Sequence, residues 1–210
     1  MDQYLSILDE STVEITEKKS KFIGHIKPVT SESQANEYLR NIREKHWDAR
    51  HNVYAYALKT NFKSKASDDG EPHGTAGIPI LEVIKKNNLL DVMIIVTRYF
   101  GGTLLGTGGL VRAYTDASVA ALNNSRLATQ VQGVRYVITT DYNGAGKIQY
   151  GMASLDAIID DTEYTDKVTM KVVIEKEREK LLIDTVTEIT NGRAVILKDC
   201  ELPVEKNISL

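Results

Sequence analysis

The chain has 210 residues, 42% of them hydrophobic and 26% charged, with a formal net charge of −3. That is the balance of a soluble globular protein with room for one large domain or two small ones. One cysteine, Cys200, excludes an intramolecular disulfide and points to a reducing compartment. No stretch reaches the roughly 18 apolar residues of a membrane span, so no membrane partner is expected. The opening MDQYLSILDE has neither the basic region nor the apolar run of a secretory signal, and a cytoplasmic location is expected.

In chain order, Val13 to Val29 is β-prone, with Phe22 to Ile26 reading as a strand. Ser31 or Ser33 caps a helix whose apolar positions Ala35, Tyr38, Leu39 and Ile42 keep helical spacing; Trp47 follows near its end. Asn52 to Leu58 alternates as a half-buried strand does. The polar segment SDDGEPHGTAG, Ser67 to Gly77, has neither period, and Ile78 to Ile84 starts a helix near Pro79 that Asn87-Asn88 ends. Val92 to Val96 is a continuous apolar run, the pattern of a strand buried on both faces. A loop is expected from Gly101 to Gly109 and a helix from Leu110 to Leu122, with Thr107-Gly108-Gly109 just before it as an anion cradle. Beyond Ala128 the pattern restarts as strand, helix, two strands, helix and strand, ending with Arg193 to Cys200. Two α+β domains are expected, 1–128 and 129–210. A packed thiol is the expectation for Cys200.

Charge divides between these halves. Residues 1–128 carry 16 Lys and Arg against 15 Asp and Glu, and residues 129–210 carry 10 against 14. A nucleic-acid binder that relies on bulk electrostatics is clearly basic, so RNA contact here requires a local patch; nothing signals DNA specifically.

Most of the glycines fall in Ser67 to Gly77 and in TRYFGGTLLGTGGLVRAY, Thr97 to Tyr114, about 20 residues later. Glycine is favoured where a chain takes positive φ or lets another group approach its backbone. These segments hold the candidate binding residues Arg98, Tyr99, Phe100, Gly101, Gly102, Gly106, Gly108, Gly109 and Arg112, with Lys21 and His51 nearby. If Arg98 and Arg112 both face the loop, two guanidinium groups and exposed N–H groups make a phosphate site; the rival is internal pairing with Asp68, Asp69 and Glu71. Asp68, Asp69, Glu71 and His73 also read either as acid/base or metal groups or as a hydrogen-bonded loop; the spacing matches no established metal site, and none is assigned. GTLLGTGG lacks the Lys and Ser/Thr of a P-loop, and its glycines fail the dinucleotide pattern, so no cofactor is expected. His51 reads either as a general base or as a histidine satisfied by a neighbour. Tyr99-Phe100 reads either as a stacking pair for bases or as two rings packed in opposite directions.

The strand Ile94 to Val96 followed by Arg98-Tyr99-Phe100-Gly101-Gly102 and Leu105-Gly106, with Asp68-Asp69-Gly70-Glu71-Pro72 and Gly74-Thr75-Ala76-Gly77, resembles the IMPACT, or YigZ-like, family. Ser20-Lys21-Phe22-Ile23 and Ala49-Arg50-His51 are similar to further blocks of it, and the resemblance runs from about Tyr4 to Leu122. It implies an N-terminal fold similar to the second domain of a small-subunit ribosomal protein and the fourth domain of elongation factor G, a fold shared with GHMP-type kinases. Their glycine- and serine-rich ATP loop has no close copy here. The C-terminal half resembles the ferredoxin-like companion domain of bacterial members. The eukaryotic relative regulates translation by competing for the activator of an amino-acid-starvation kinase, using a further protein-binding domain not expected here, so that partner is not carried over. Three functions follow as expectations. The first is a non-enzymatic regulator or accessory factor that binds RNA, the ribosome or a protein through the surface around the two glycine segments. The second is an enzyme using Asp68, Asp69, Glu71, His73 and Arg98 on a small phosphorylated or carboxylate substrate. The third is a protein-only adaptor docking through the acidic C-terminal half.

Overall fold

The computed structural model describes residues 3–206, and the chain divides into two compact units, Tyr4–Ala128 and Met1–Gln3 with Thr129–Leu210. Both mix α and β structure.

The N-terminal unit begins with β1 (Gln3–Ile7), whose Leu5 carbonyl accepts from Leu90 N at 3.0 Å. A five-stranded antiparallel sheet follows, with the order β2 (Ser11–Glu17), β3 (Ser20–Pro28), β6 (Val92–Tyr99), β4 (His51–Ala57) and β5 (Ser64–Ser67). Strand β6 is central and its residues alternate between two cores. Val92, Ile94 and Val96 meet α2 (Gly77–Lys86) and α3 (Thr107–Asn123), while Met93 and Ile95 meet α1 (Glu32–Lys45). This explains the unbroken apolar run, which belongs here to an antiparallel strand covered by helices on both faces. Helix α1 is capped by Ser31, whose Oγ accepts from Gln34 N at 3.3 Å. Gly24 lets α3 lie close on the sheet: a Cβ there would sit 2.4 Å from the carbonyl oxygen of Ala117.

Two expectations change. The edge strand β5 was not anticipated, because Ser-Lys-Ala-Ser lacks an apolar face. Helix α3 begins at Thr107 rather than Leu110, so Gly108 and Gly109 lie inside its first turn instead of preceding it. Gly106, at φ 74°, is the residue that ends the loop.

In the C-terminal unit, β7 (Leu127–Thr140), α4 (Tyr142–Ser154), β8 (Ile158–Tyr164), β9 (Val168–Glu175), α5 (Glu179–Thr190) and β10 (Val195–Glu205) follow in the expected type and order. The strands stand side by side as β10, β7, β9, β8, all antiparallel. Their core, with Val134, Ile138, Met170 and Val172, packs under Ile148 of α4 and Leu182 of α5. The last strand continues past Cys200 to Glu205, across a bulge between Lys198 and Cys200. Cys200 is a free, half-buried thiol.

Candidate functional site

Strand register collects both glycine segments at one end of the N-terminal sheet. Arg98 lies opposite Phe22 on β3 and His51 on β4, and Lys21 lies opposite Tyr99. The loop after β5, the β2–β3 turn and the loop after β6 therefore meet there. Gly101 requires the contact between the last two: its N–H donates to Ser20 Oγ at 3.1 Å, and a Cβ would fall 2.0 Å from Lys19 backbone atoms. Lys18 and Lys19 form the two-residue turn with φ of 45° and 67°, values that glycine or asparagine usually supplies.

On the α2/α3 face the acidic loop turns inward. The Glu71 carboxylate accepts from Arg98 NH1 at 2.6 Å and from the Tyr114 hydroxyl of α3 at 2.8 Å. The Arg98 and Glu71 side chains are 7% and 4% exposed, so each is buried against its counter-charge. Arg98 also lies over the rings of Phe22 and Phe100, 5.4 and 5.7 Å from their centroids. Its Nε has no hydrogen-bond partner. Burial, then the Glu71 carboxylate, push the Tyr114 hydroxyl pKa up. His51 donates from Nδ1 to the Asp69 carbonyl at 2.8 Å, since a carbonyl can only accept. In the neutral ring this leaves Nε2 as the lone pair, 4.0 Å from Glu71 Oε1.

The two aspartates hold backbone. Asp68 accepts from Gly74 N (2.8 Å), Ala76 N (3.2 Å) and Gly77 N (2.8 Å). Burial raises its pKa, but these three donors outweigh that and hold it below the usual carboxylate value. Asp69 accepts from Asn52 N at 2.7 Å and pairs with Arg43 at 2.6 Å. His73 is fully exposed, 3.7 Å from Asp68. Among the described residues no three His, Cys, Asp or Glu side chains converge on a metal position.

The α1 face at the same end carries a second polar network. Thr97 Oγ1 donates to Asn52 Oδ1 at 2.7 Å and accepts from His25 Nε2 at 3.4 Å. Burial, with His46 and Lys45 nearby, lowers the His25 pKa to about 4. Tyr99 donates to Asp48 at 2.9 Å and accepts from His46 Nδ1 at 3.0 Å. Tyr99 and Phe100 thus point in opposite directions: Tyr99 is held on the α1 side, and Phe100, 47% exposed, flanks Arg98.

Of the anticipated binding residues, Arg98 is paired internally and Lys21 bridges Glu14 at 3.1 Å. Arg112 lies in the second turn of α3, exposed, and does not join Arg98. It lines a hollow of about 340 Å³ with Lys18, Glu17, Gly109 and Asp116. Lys18, Lys19, Arg50 and Arg112 are exposed and have no ion-pair partner among the described residues. Trp47, 83% exposed, and Leu104, 84% exposed, belong to the same end and were not singled out from sequence. The signal for Trp47 was its place just after α1, outside the helix's apolar stripe.

Residues 18–122 match the Impact N-terminal domain, and residues 138–193 match a domain of unknown function, DUF1949. The chain is 36% identical over 203 residues to the IMPACT family member YvyE of Bacillus subtilis, covering 96% of this chain and 93% of that protein. The chain belongs to the IMPACT family. The IMPACT family member YigZ of Escherichia coli is 32% identical over 160 residues, covering 75% of this chain and 78% of YigZ. Protein IMPACT of Bos taurus is 37% identical over 100 residues, 45% of this chain and 31% of the bovine protein. A crystal structure of a hypothetical protein superposes with a TM-score of 0.65 at 28% identity, covering 94% of this chain and 97% of that one. No helix among the described residues is long and apolar enough to cross a membrane.

Proposed function

We propose that this chain is a non-enzymatic, cytoplasmic regulator or accessory factor in translation or RNA metabolism, which binds RNA or the ribosome at the sheet end just described. One observation carries the reading. The carboxylates of the acidic loop are spent internally, by backbone N–H groups, Arg43 and Arg98, while Lys18, Lys19, Arg50 and Arg112 have no ion-pair partner among the described residues. Glu17, Asp116 and Asp48 are acids beside them without an ion pair among the described residues, and Asp48 accepts from the Tyr99 hydroxyl, so the four cations keep a small excess. A segment that is neutral in sequence therefore presents a basic surface with exposed rings at Trp47 and Phe100, the combination that suits a sugar-phosphate backbone and unstacked bases. The N-terminal ends of α3 backbone groups at Gly108 and Gly109 add N–H donors.

The division into functional domains at 128/129 belongs to the same proposal. So does a likeness of the first domain to the ribosomal-protein and elongation-factor-G fold, and of the second to ferredoxin-like domains. The β10-β7-β9-β8 order of a β-α-β-β-α-β unit supports the latter. Catalysis by Asp68, Asp69, Glu71, His73 and Arg98 has less support, because Glu71 and Arg98 neutralise one another below the surface.

The test is binding of a labelled single-stranded RNA 20-mer, and of ribosomal subunits, at two salt concentrations. If three or four phosphates are neutralised, the slope of log K against log salt is about −2 to −3. Removing Lys18, Lys19, Arg50 and Arg112 together lowers affinity at least tenfold, roughly 1.4 kcal/mol or more. Trp47→Ala weakens single-stranded RNA by about 1–3 kcal/mol if a base stacks there. Absence of salt-sensitive binding to either probe overturns the proposal.

A further inference from the structure

The C-terminal sheet has one face under α4 and α5 and an opposite face that carries aliphatic side chains. Register places Val195 and Leu197 of β10 beside Thr139 and Val137 of β7. Val173 of β9 lies between Arg135 and Ile158. None of these is in the helix-covered core, whose residues alternate with them along each strand. Ile158, Val195 and Leu197 are 52%, 53% and 61% exposed.

Charge on this face has one dominant sign. Asp160, Asp161, Glu163 and Asp199 stand against two cations, Arg135 and Lys171. Arg135 donates to Asp199 at 2.7 Å and lies 3.4 Å from Asp160, and Lys171 pairs with Asp161 at 2.9 Å. Both cations are thereby consumed, and Glu163 has no partner among the described residues. No aromatic residue alternates onto this face: Tyr136 belongs to the core, and Tyr164 stacks on Tyr142 of α4. A sheet that reads RNA displays aromatic rings and positive charge, so this surface has the wrong chemistry for nucleic acid.

We infer that this face docks a partner protein through one amphipathic helix, with an aliphatic stripe on Val195, Leu197, Val137 and Ile158 and Lys or Arg flanks against the surplus carboxylates. The width fits: four strands span roughly 14 Å between outer axes, and a helix with its side chains is about 10–12 Å across. This interaction is separate from the RNA surface of the N-terminal unit, and its failure leaves that proposal standing.

The test uses the full chain and two labelled 18-residue helical peptides with the same leucine stripe, one with Lys flanks and one with Glu flanks, followed by fluorescence anisotropy. The Lys peptide binds saturably and the Glu peptide does not. Leu197→Asp adds negative charge yet weakens the Lys peptide about tenfold or more, because one aliphatic contact is lost. Glu163→Lys weakens it as well. Absence of binding overturns the inference, as does Lys-peptide binding that Leu197→Asp leaves unchanged or strengthens, which is charge attraction alone. So does a chain that sediments as a dimer dissolved by Leu197→Asp, since a second copy then covers the face. A large loss of thermal stability in Leu197→Asp also overturns it, since the face is then part of a core.

Discussion

Replacing Glu71 with alanine tests whether the acidic loop is structural. The substitution strands two groups: the Arg98 guanidinium, 7% exposed with an Nε that already lacks a partner, and the Tyr114 hydroxyl that donates to Glu71 at 2.8 Å. Removing one partner of a buried ion pair costs about 3–5 kcal/mol, chiefly because the other charge stays buried. A domain's total stability is about 5–15 kcal/mol, so the N-terminal unit loses roughly a fifth of it or more. The assay is hydrogen exchange of β6 amides across a urea series, which reports this unit without assuming that both units unfold together. Replacing the pair together, Glu71→Leu with Arg98→Met, recovers most of the loss, since well-packed apolar residues in place of a buried pair are near neutral. A Glu71→Ala chain within about 1 kcal/mol of the parent refutes the reasoning. So does a double variant no more stable than the single one.

Three further outcomes follow from the geometry. The His25 pKa is depressed from 6.5 to about 4, so its contribution is fully present above pH 6.5 and is lost as pH falls toward 4. The shift corresponds to about 3 kcal/mol, and His25→Gln flattens that part of the stability–pH curve measured in urea. Gly101→Ala forces its Cβ, 2.0 Å from Lys19 backbone atoms, to push the β2–β3 turn aside, and a cost of about 1–3 kcal/mol appears in urea melts. Gly108→Ala has open space and helical backbone, so it stabilises the fold by up to about 1 kcal/mol in the same melts. Its effect on RNA affinity then shows whether a phosphate needs the bare backbone there.

Regular elements were legible where burial imposed a period. The run from Val92 to Val96 marked the central strand, and Ala35, Tyr38, Leu39 and Ile42 marked α1, because a core selects apolar residues at fixed spacing. β5 was not legible: a four-residue edge strand that sends only Ala66 against the core shows no apolar alternation. The start of α3 was displaced because glycine carries a loop signal even when, as at Gly108 and Gly109, it occupies a first helical turn. For the candidate site, residue types pointed to the right end of the sheet, but which arginine is paired depends on strand register. Arg98 sits beside Glu71 because β3 and β4 flank β6 there, and Arg112 is exposed because helical phase turns it away from Tyr114.

Helix α2 has no capping side chain of its own; Asp68 caps it from eight and nine residues upstream. The first-turn N–H groups of the helix gain their carboxylate partner only when the acidic loop has wrapped back on it. Loop and helix should therefore open and close as a single unit, with amides from Gly74 to Ile80 exchanging together rather than fraying one by one. A ligand that grips the loop would consequently slow the opening of a helix it never touches.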